Sequence, residues 1–412
     1  MIHISKKEEC CGCEACVQVC PKDCIQMKKD REGFLYPFVE VSSCIDCGAC
    51  ERVCPILNPY QKREPIQLWA AKTENENIRL QSSSGGVFSE LALWIIRKGG
   101  VVFGAHFTKD WIVEHTYVET EEELSALRGS KYVQSHIKDS YKQVLSFLKQ
   151  DRWVLFSGTS CQVTALNRFL KKKYDKLLTV EVVCHGVPSA KVWDKYLKEI
   201  TGGKKQNILG IEFRNKTTGW INYSFVCRQK GGDCSTIFRE NPYMKGFVRD
   251  LYLRPSCYYC SSKSFATESD VALADYWGIQ QLRPYLNDDL GISAVFVHSS
   301  KTEKIIKEIP LCLEEVAVPL STMVEYNKCI SYSSRKGISL KRKLFFWGID
   351  YAIPFSWLVN SLSKKWRLIS FVKKFIRRNE NESSHTDIAF TYELWWYLAG
   401  LCPYAGFKKV RA

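Results

Sequence analysis

Two short cysteine runs constrain this 412-residue chain more than any other feature. Cys10-x2-Cys13-x2-Cys16-x3-Cys20-Pro21 is followed by Cys44-x2-Cys47-x2-Cys50-x3-Cys54-Pro55. Three thiolates on one tight loop can bind three irons of a cubane, while the fourth lies too far round its own loop and ligates the other cluster. The spacing therefore assigns Cys10, Cys13, Cys16 and Cys54 to one 4Fe-4S cluster. Cys44, Cys47, Cys50 and Cys20 take a second. Gly12 and Gly48 let the loop backbone pass close to the sulfides. Zinc sites instead pair separated C-x2-C knuckles, so two complete copies argue against zinc. Residues 1–60 read as a ferredoxin-like two-cluster domain, a one-electron conductor with no chemistry of its own. Cys11 and Cys24 are spare thiols in this reading.

The remaining chain must supply the other end of the circuit. Residues 61–65 read as a linker, and beyond them helix and strand signals alternate. Strands are expected at 67–72, 100–106, 153–156, 177–183, 208–214, 221–227, 271–274 and 292–298. Helices are expected at 84–98, 140–149, 189–200 with Ser189 as N-cap, and 301–308. The expected fold is α+β and multidomain: the two-cluster module, a mixed α/β body, and a helical basic tail. Apolar residues at 45% and charged residues at 25% are globular values and exclude a disordered chain.

The formal net charge of +15 is uneven. Residues 338–412 hold 13 Lys/Arg against 5 Asp/Glu, whereas the other 337 residues hold 46 against 39. Phe345-Phe346-Trp347 and Phe355-Ser356-Trp357-Leu358-Val359 lie between Lys341-Arg342-Lys343 and Lys364-Lys365. This composition suits either a segment on an anionic membrane surface or a packed helical layer with a basic face. Asp350, Pro354 and Asn360 argue against a spanning helix. No recognition motif supports nucleic acid. With no apolar leader after Met1, a cytoplasmic location is expected, with peripheral contact on the inner face of the cytoplasmic membrane as an option.

Further cysteines stand behind strands: Cys161, Cys184, and the pair Cys257-x2-Cys260. Strand ends converge on one side of a sheet, where sites are built. These four suffice for one more cubane, although spacing alone leaves a zinc site or isolated thiols open. Ser82-Ser83-Ser84-Gly85-Gly86 before a helix suits an anion at a helix N-terminus or a flexible capped turn. Neither a G-x-G-x-x-G nor a P-loop motif occurs, which disfavours both nucleotide folds.

Taken together, Ser83-Ser84-Gly85-Gly86-Val87, Gly129-Ser130-Lys131-Tyr132-Val133, Gly158-Thr159-Ser160-Cys161-Gln162, Val183-Cys184-His185-Gly186, Arg254-Pro255-Ser256-Cys257-x2-Cys260 and Ala274-Asp275-Tyr276-Trp277-Gly278 form an ordered set. The set resembles the coenzyme F-420 hydrogenase/dehydrogenase beta-subunit family, over about residues 66–325. That resemblance implies a body in two parts, 66–150 and 151–325. It implies FAD beside a third 4Fe-4S cluster on Cys161, Cys184, Cys257 and Cys260, with Ser83, Ser84, Gly85, Gly86, Lys131, Tyr132, Gly158 and Thr159 lining the flavin site. The family often has Pro where Ser160 stands. The Asp-x-Trp-Gly segment is similar to that of bacterial members found with surface-polysaccharide genes. Coenzyme F-420 itself is therefore not carried over as the substrate.

The implied function is an iron–sulfur flavoprotein oxidoreductase acting on a small molecule or a polysaccharide-pathway intermediate. Its redox partner would be a ferredoxin or another oxidoreductase subunit. The alternative is a non-catalytic subunit relaying electrons to a partner enzyme. His185 and Asp275 are the candidate catalytic proton carriers. Arg254 is open to three roles: holding an anionic substrate, holding a flavin phosphate, or pairing with a carboxylate.

Overall fold

The computed structural model describes residues 1–333, 337–351 and 353–363. At the N-terminus, β1 (Ile25–Lys29) and β2 (Leu35–Val39) form an antiparallel hairpin, with Ile25 opposite Val39. The helices Ala15–Val19 and Ala49–Arg52 follow the two cysteine loops. Four cysteines, Cys16, Cys24, Cys50 and Cys54, together with Ile2 and Ile25 make a separate small core. So few apolar side chains leave the module dependent on what its sulfurs bind.

The body is built on β3 (Gln67–Thr73), β4 (Val101–Phe107), β5 (Val113–Val118), β6 (Val154–Thr159), β7 (Leu177–Val182), β8 (Ile208–Asn215), β9 (Ser224–Gln229), β10 (Cys234–Ile237), β11 (Val271–Asp275), β12 (Ser293–Val297) and β13 (Leu311–Glu315). Eight of these make one mixed sheet in the order β13-β3-β12-β11-β7-β6-β4-β5. β4, β6, β7 and β11 are parallel, and the others pair antiparallel. Strands from both sides of residue 150 interleave, with β3 between β12 and β13. β12 is buried along its whole length, as a strand covered on both faces must be.

The helix Val87–Arg97 buries Val87, Leu91, Ala92 and Ile95 on one face, the stripe expected of an amphipathic helix on a sheet. Ser189 caps Ala190–Ile200 by accepting from Val192 N. Elements without an expectation in the sequence include the hairpin β1–β2, the strands β5, β10 and β13, the helices Glu76–Gln81, Pro242–Val248 and Leu320–Tyr326, and the helix Ser160–Leu170. The last starts with a capping box, Thr159 to Gln162, which is a sequence-level signal for a helix start.

The parallel strands set the location of everything functional. The C-terminal ends of β6, β7 and β11, the N-terminal end of β12 and the C-terminal end of β3 all lie at one edge. Such an edge is where open α/β sheets bind ligands.

The aromatic stretch near residue 350 is largely interior. Phe345, Phe346, Ile349, Phe355, Leu358 and Val359 are core residues, packed with Tyr196, Tyr243 and Tyr252. They form the helices Leu340–Asp350 and Phe355–Ser363. Their apolar surface is thus spent on the protein interior, while Tyr351 and Trp357 of the same stretch are exposed. Arg342 is no solvated cation. It is buried, donates to Leu253 O at 3.0 Å, and forks onto Glu32 at 2.9 and 2.6 Å. Lys364-Lys365 and the rest of the basic tail lie outside the described residues. Among the described residues, no helix is long and apolar enough to cross a membrane.

Arg342 therefore ties the last helices to the turn of the N-terminal hairpin. Arg342→Met leaves the Glu32 carboxylate without its partner in a half-dry site, and such breakage costs about 3 kcal/mol or more. The urea midpoint of the purified protein should fall accordingly. An unchanged midpoint would show that the fork contributes nothing to holding the module.

Candidate redox site

The first cysteine loop turns on two left-handed residues, Gly12 (φ 69°) and Glu14 (φ 59°). This turn folds Cys10, Cys13 and Cys16 back toward one centre. Cys54 joins them: burial first, then the sulfurs of Cys10, Cys54 and Cys50, raise the Cys16 thiol. Cys20, Cys44, Cys47 and Cys50 line a second small cavity with Cys24, whose sulfur is 3.4 Å from that of Cys20. Gly48 (φ 67°) makes the matching turn there. Cys54 thus stands near the cysteines of the first loop and Cys20 near those of the second. Among the described residues no three His, Cys, Asp or Glu side chains are gathered closely enough for a single ion.

A third group forms at the sheet edge. Cys161 lies in the first turn of the helix after β6, and Cys184 lies two residues past β7. Cys257 sits in the turn Pro255–Tyr259, with Cys260 closing it. Burial, then the neighbouring Cys260 and Cys161 sulfurs among other contacts, push Cys257 up to about 12. Cys184 is raised by burial and by Cys257, Cys161 and Cys260 in turn. Val187 N–H points at the Cys257 sulfur at 3.4 Å. Four sulfurs in a dry space repel as thiolates, and only a cation among them reverses that balance. The donor set fits an iron–sulfur cluster. Cys11, left unassigned by its spacing, links the two regions, its sulfur meeting both Cys13 and Cys161.

Beside this group opens a cleft of about 310 Å³. Ser83, Ser84, Gly86, Lys131, Tyr132, Gly158 and Thr159 line it, as do Cys184, His185 and Asp275. Gly85 does not face it. A Cβ there would stand 2.2 Å from Ala71 O and 2.8 Å from Ser293 N, so Gly85 is the point where the loop presses on the sheet. Gly86 (φ 90°) opens the helix Val87–Arg97 toward the cleft. Ser83 Oγ accepts from Ser130 N at 2.8 Å, clipping the two loops together. Lys131 donates to Arg128 O at 2.9 Å, and loss of solvent lowers it to about 7.

Sequence reading missed five residues of this region. Lys216 donates to the carbonyls of Arg79, Ser84 and Leu290, each at 2.7 Å, and braces the serine loop from behind. Burial, helped by Arg214 and Arg79, lowers it to about 7. Arg214 forks onto Asp275 at 2.6 and 3.1 Å, and Trp220 Nε1 donates to the same carboxylate at 3.0 Å. Asp275 is thereby an anchor in the cleft wall. Asp250 accepts from His185 Nε2 at 2.7 Å, while the Cys329 sulfur lies 3.4 Å from Nδ1. Burial opposes charge on His185, but these two partners outweigh it and hold the imidazole up to about 9. Cys329 was only one of several unassigned cysteines, and the other four belong to no motif.

Arg254 takes none of the three roles its position left open. It reaches away from the cleft to the first cysteine loop, donating to Cys10 O at 2.6 Å and Leu35 O at 2.7 Å.

Comparison with known proteins follows the same division. Residues 9–57 match the 4Fe-4S dicluster domain. Residues 68–141 match the N-terminal part, and 151–315 the C-terminal part, of the coenzyme F420 hydrogenase/dehydrogenase beta subunit. Among solved structures, a chain of the xenon-derivatised F420-reducing [NiFe] hydrogenase complex from Methanosarcina barkeri is similar at 16% identity and a TM-score of 0.46. The match covers 70% of this chain and 94% of that one. No curated protein matches.

The first cysteine loop is packed tightly at Gly12, where a Cβ would stand 2.5 Å from Gln134 Nε2 and 2.6 Å from Arg254 Nη1. Gly12→Ala should open the first loop and lower the iron content of anaerobically purified protein. Full iron loading in this variant would contradict the geometry of that contact.

Proposed function

The chain belongs to the coenzyme F420 hydrogenase/dehydrogenase beta-subunit family and carries a 4Fe-4S dicluster domain, and from that premise we propose a flavin-dependent iron–sulfur oxidoreductase with three clusters. The observation that carries the reading is the adjacency of the four-cysteine group to the cleft, which share Cys184.

A flavin such as FAD, bound in the cleft, exchanges electrons singly with iron–sulfur centres and in pairs with an organic substrate. The chain's own groups suit such a ligand. The 11-residue helix Val87–Arg97 turns its N-terminus, led by Gly86, to the cleft, a natural seat for a phosphate. Lys131 adds a positive donor on the opposite rim, and the hydroxyls of Ser83 and Ser84 lie between. Gly158 and Thr159 let the β6 end approach the ligand closely. Cys161, Cys184, Cys257 and Cys260 would hold the third cluster.

Two wall residues manage charge. His185 keeps a proton on Nε2 against Asp250, so a cation faces the cleft where negative charge arrives with each electron. Asp275 fixes Arg214 and the Trp220–Trp277 stack, whose rings are 4.9 Å apart. Its part is to position that wall. A small organic substrate or a polysaccharide-pathway intermediate would exchange its electron pair at this cleft.

Anaerobic reconstitution should give about twelve irons, from three cubanes, and one flavin per chain. Cys257→Ser should lose about a third of the iron and keep the two-cluster module. About eight irons in the unaltered protein, without flavin, would sink the proposal.

Lys131 adds a pH signature. An anionic phosphate favours its charged form, and without ligand the ammonium titrates at about 7. Flavin affinity should stay level below that point and weaken by up to about tenfold per pH unit above it. Lys131→Met should flatten the profile. A flat profile in the unaltered protein from about pH 6 to about pH 9 would remove Lys131 from the phosphate site.

A further inference from the structure

We infer that Arg254 is the buried counter-ion of the cluster on Cys10, Cys13, Cys16 and Cys54, a positioning residue that raises that cluster's reduction potential and leaves the Cys44 cluster alone.

Arg254 is fully buried, 0% exposed, yet it belongs to no cleft. Its guanidinium makes four directed contacts: Nε to Cys10 O at 2.6 Å, Nη2 to Leu35 O at 2.7 Å, Nη1 to Gln134 Oε1 at 3.1 Å, and Nη2 to the Cys10 sulfur at 3.4 Å. The Tyr36 ring covers one side, 4.5 Å from Cζ. Burial works against the charge, and Cys10, Tyr36, Cys11 and Cys257 are the groups that favour it. No Asp or Glu is among them. A dry cation needs an anion, and the anion here is sulfur.

A cubane on four thiolates has a net charge of about −2 when oxidised and about −3 when reduced, and a nearby cation or hydrogen bond to sulfur favours the reduced state. Arg254 supplies both to one ligand, Cys10. The second module site has backbone donors at two sulfurs, Ile2 N to Cys50 at 3.3 Å and Asp46 N to Cys44 at 3.4 Å, but its guanidinium, Arg52 on Cys47 O at 2.9 Å, is exposed, as is Cys47, and water screens that charge. The two sites therefore differ in potential, and the inner one, whose loop touches Cys161 through Cys11, is the easier to reduce. An electron entering at the exposed site is drawn inward.

The inference uses the two-cluster module alone, so absence of flavin would leave it standing. The test is an EPR-monitored redox titration of the full chain. Arg254→Gln keeps amide donors but removes the charge. One of the two module midpoints should fall by at least tenfold in the reduction equilibrium, about 59 mV for one electron, and the other should stay. Arg254→Lys, which keeps the charge, should move the same midpoint less. If Arg254→Gln fails to load iron, Gln134→Glu places a carboxylate against the guanidinium and should give the same one-sided fall. Full iron with both midpoints unmoved, or with both moved equally, would overturn the inference. Loss of iron from both variants would overturn it too, reducing Arg254 to a clamp.

Discussion

Everything in this molecule depends on one buried contact, the seating of the first cysteine loop on the carboxyl edge of the sheet. Arg254 and Gln134 grip the loop carbonyls, Gly12 leaves them room, and the sulfur of Cys11 meets that of Cys161. The small module has too few apolar side chains to fold firmly alone. Docked on the sheet, it gains a rigid neighbour, and its inner cysteines gain a dry surrounding. Arg342 on Glu32 and Arg31 on Asp350, at 2.7 Å, secure the far side of the module.

Burial gives this contact its electrical meaning. Water would screen a charge on either partner, but a low-dielectric interior lets each sulfur sense the guanidinium and the next sulfurs. The same desolvation raises the thiols of Cys184 and Cys257 and lowers the ammonium groups of Lys131 and Lys216. An anion brought among these groups would restore the charge that desolvation takes from the two ammonium groups. The parallel strands contribute by delivering Cys161, Cys184 and Asp275 to one edge without any local sequence motif.

Much of this was legible in the sequence, for a physical reason that also explains the failures. The ferredoxin ligands sit within a few residues of one another, so spacing alone encodes their geometry. Cys161, Cys184, Cys257 and Cys260 are assembled by strand order, which spacing does not encode. Arg254 meets backbone carbonyls 244 and 219 residues away, and nothing in its local context announces them. The edge strands β5 and β13 have polar or half-exposed patterns, and so fell below a hydrophobic threshold. The aromatic-basic stretch at 341–359 left two readings open because a membrane face and a packed helical layer need the same side chains. Only the tyrosines of the body that it covers distinguish them.

The most direct test of a continuous redox chain within one polypeptide is coulometric reduction of the reconstituted protein under anaerobic conditions. Three one-electron clusters and one two-electron flavin predict an uptake of about five electrons per chain, all through one docked mediator. An uptake of about two electrons, the capacity of the ferredoxin-like module by itself, would contradict the account.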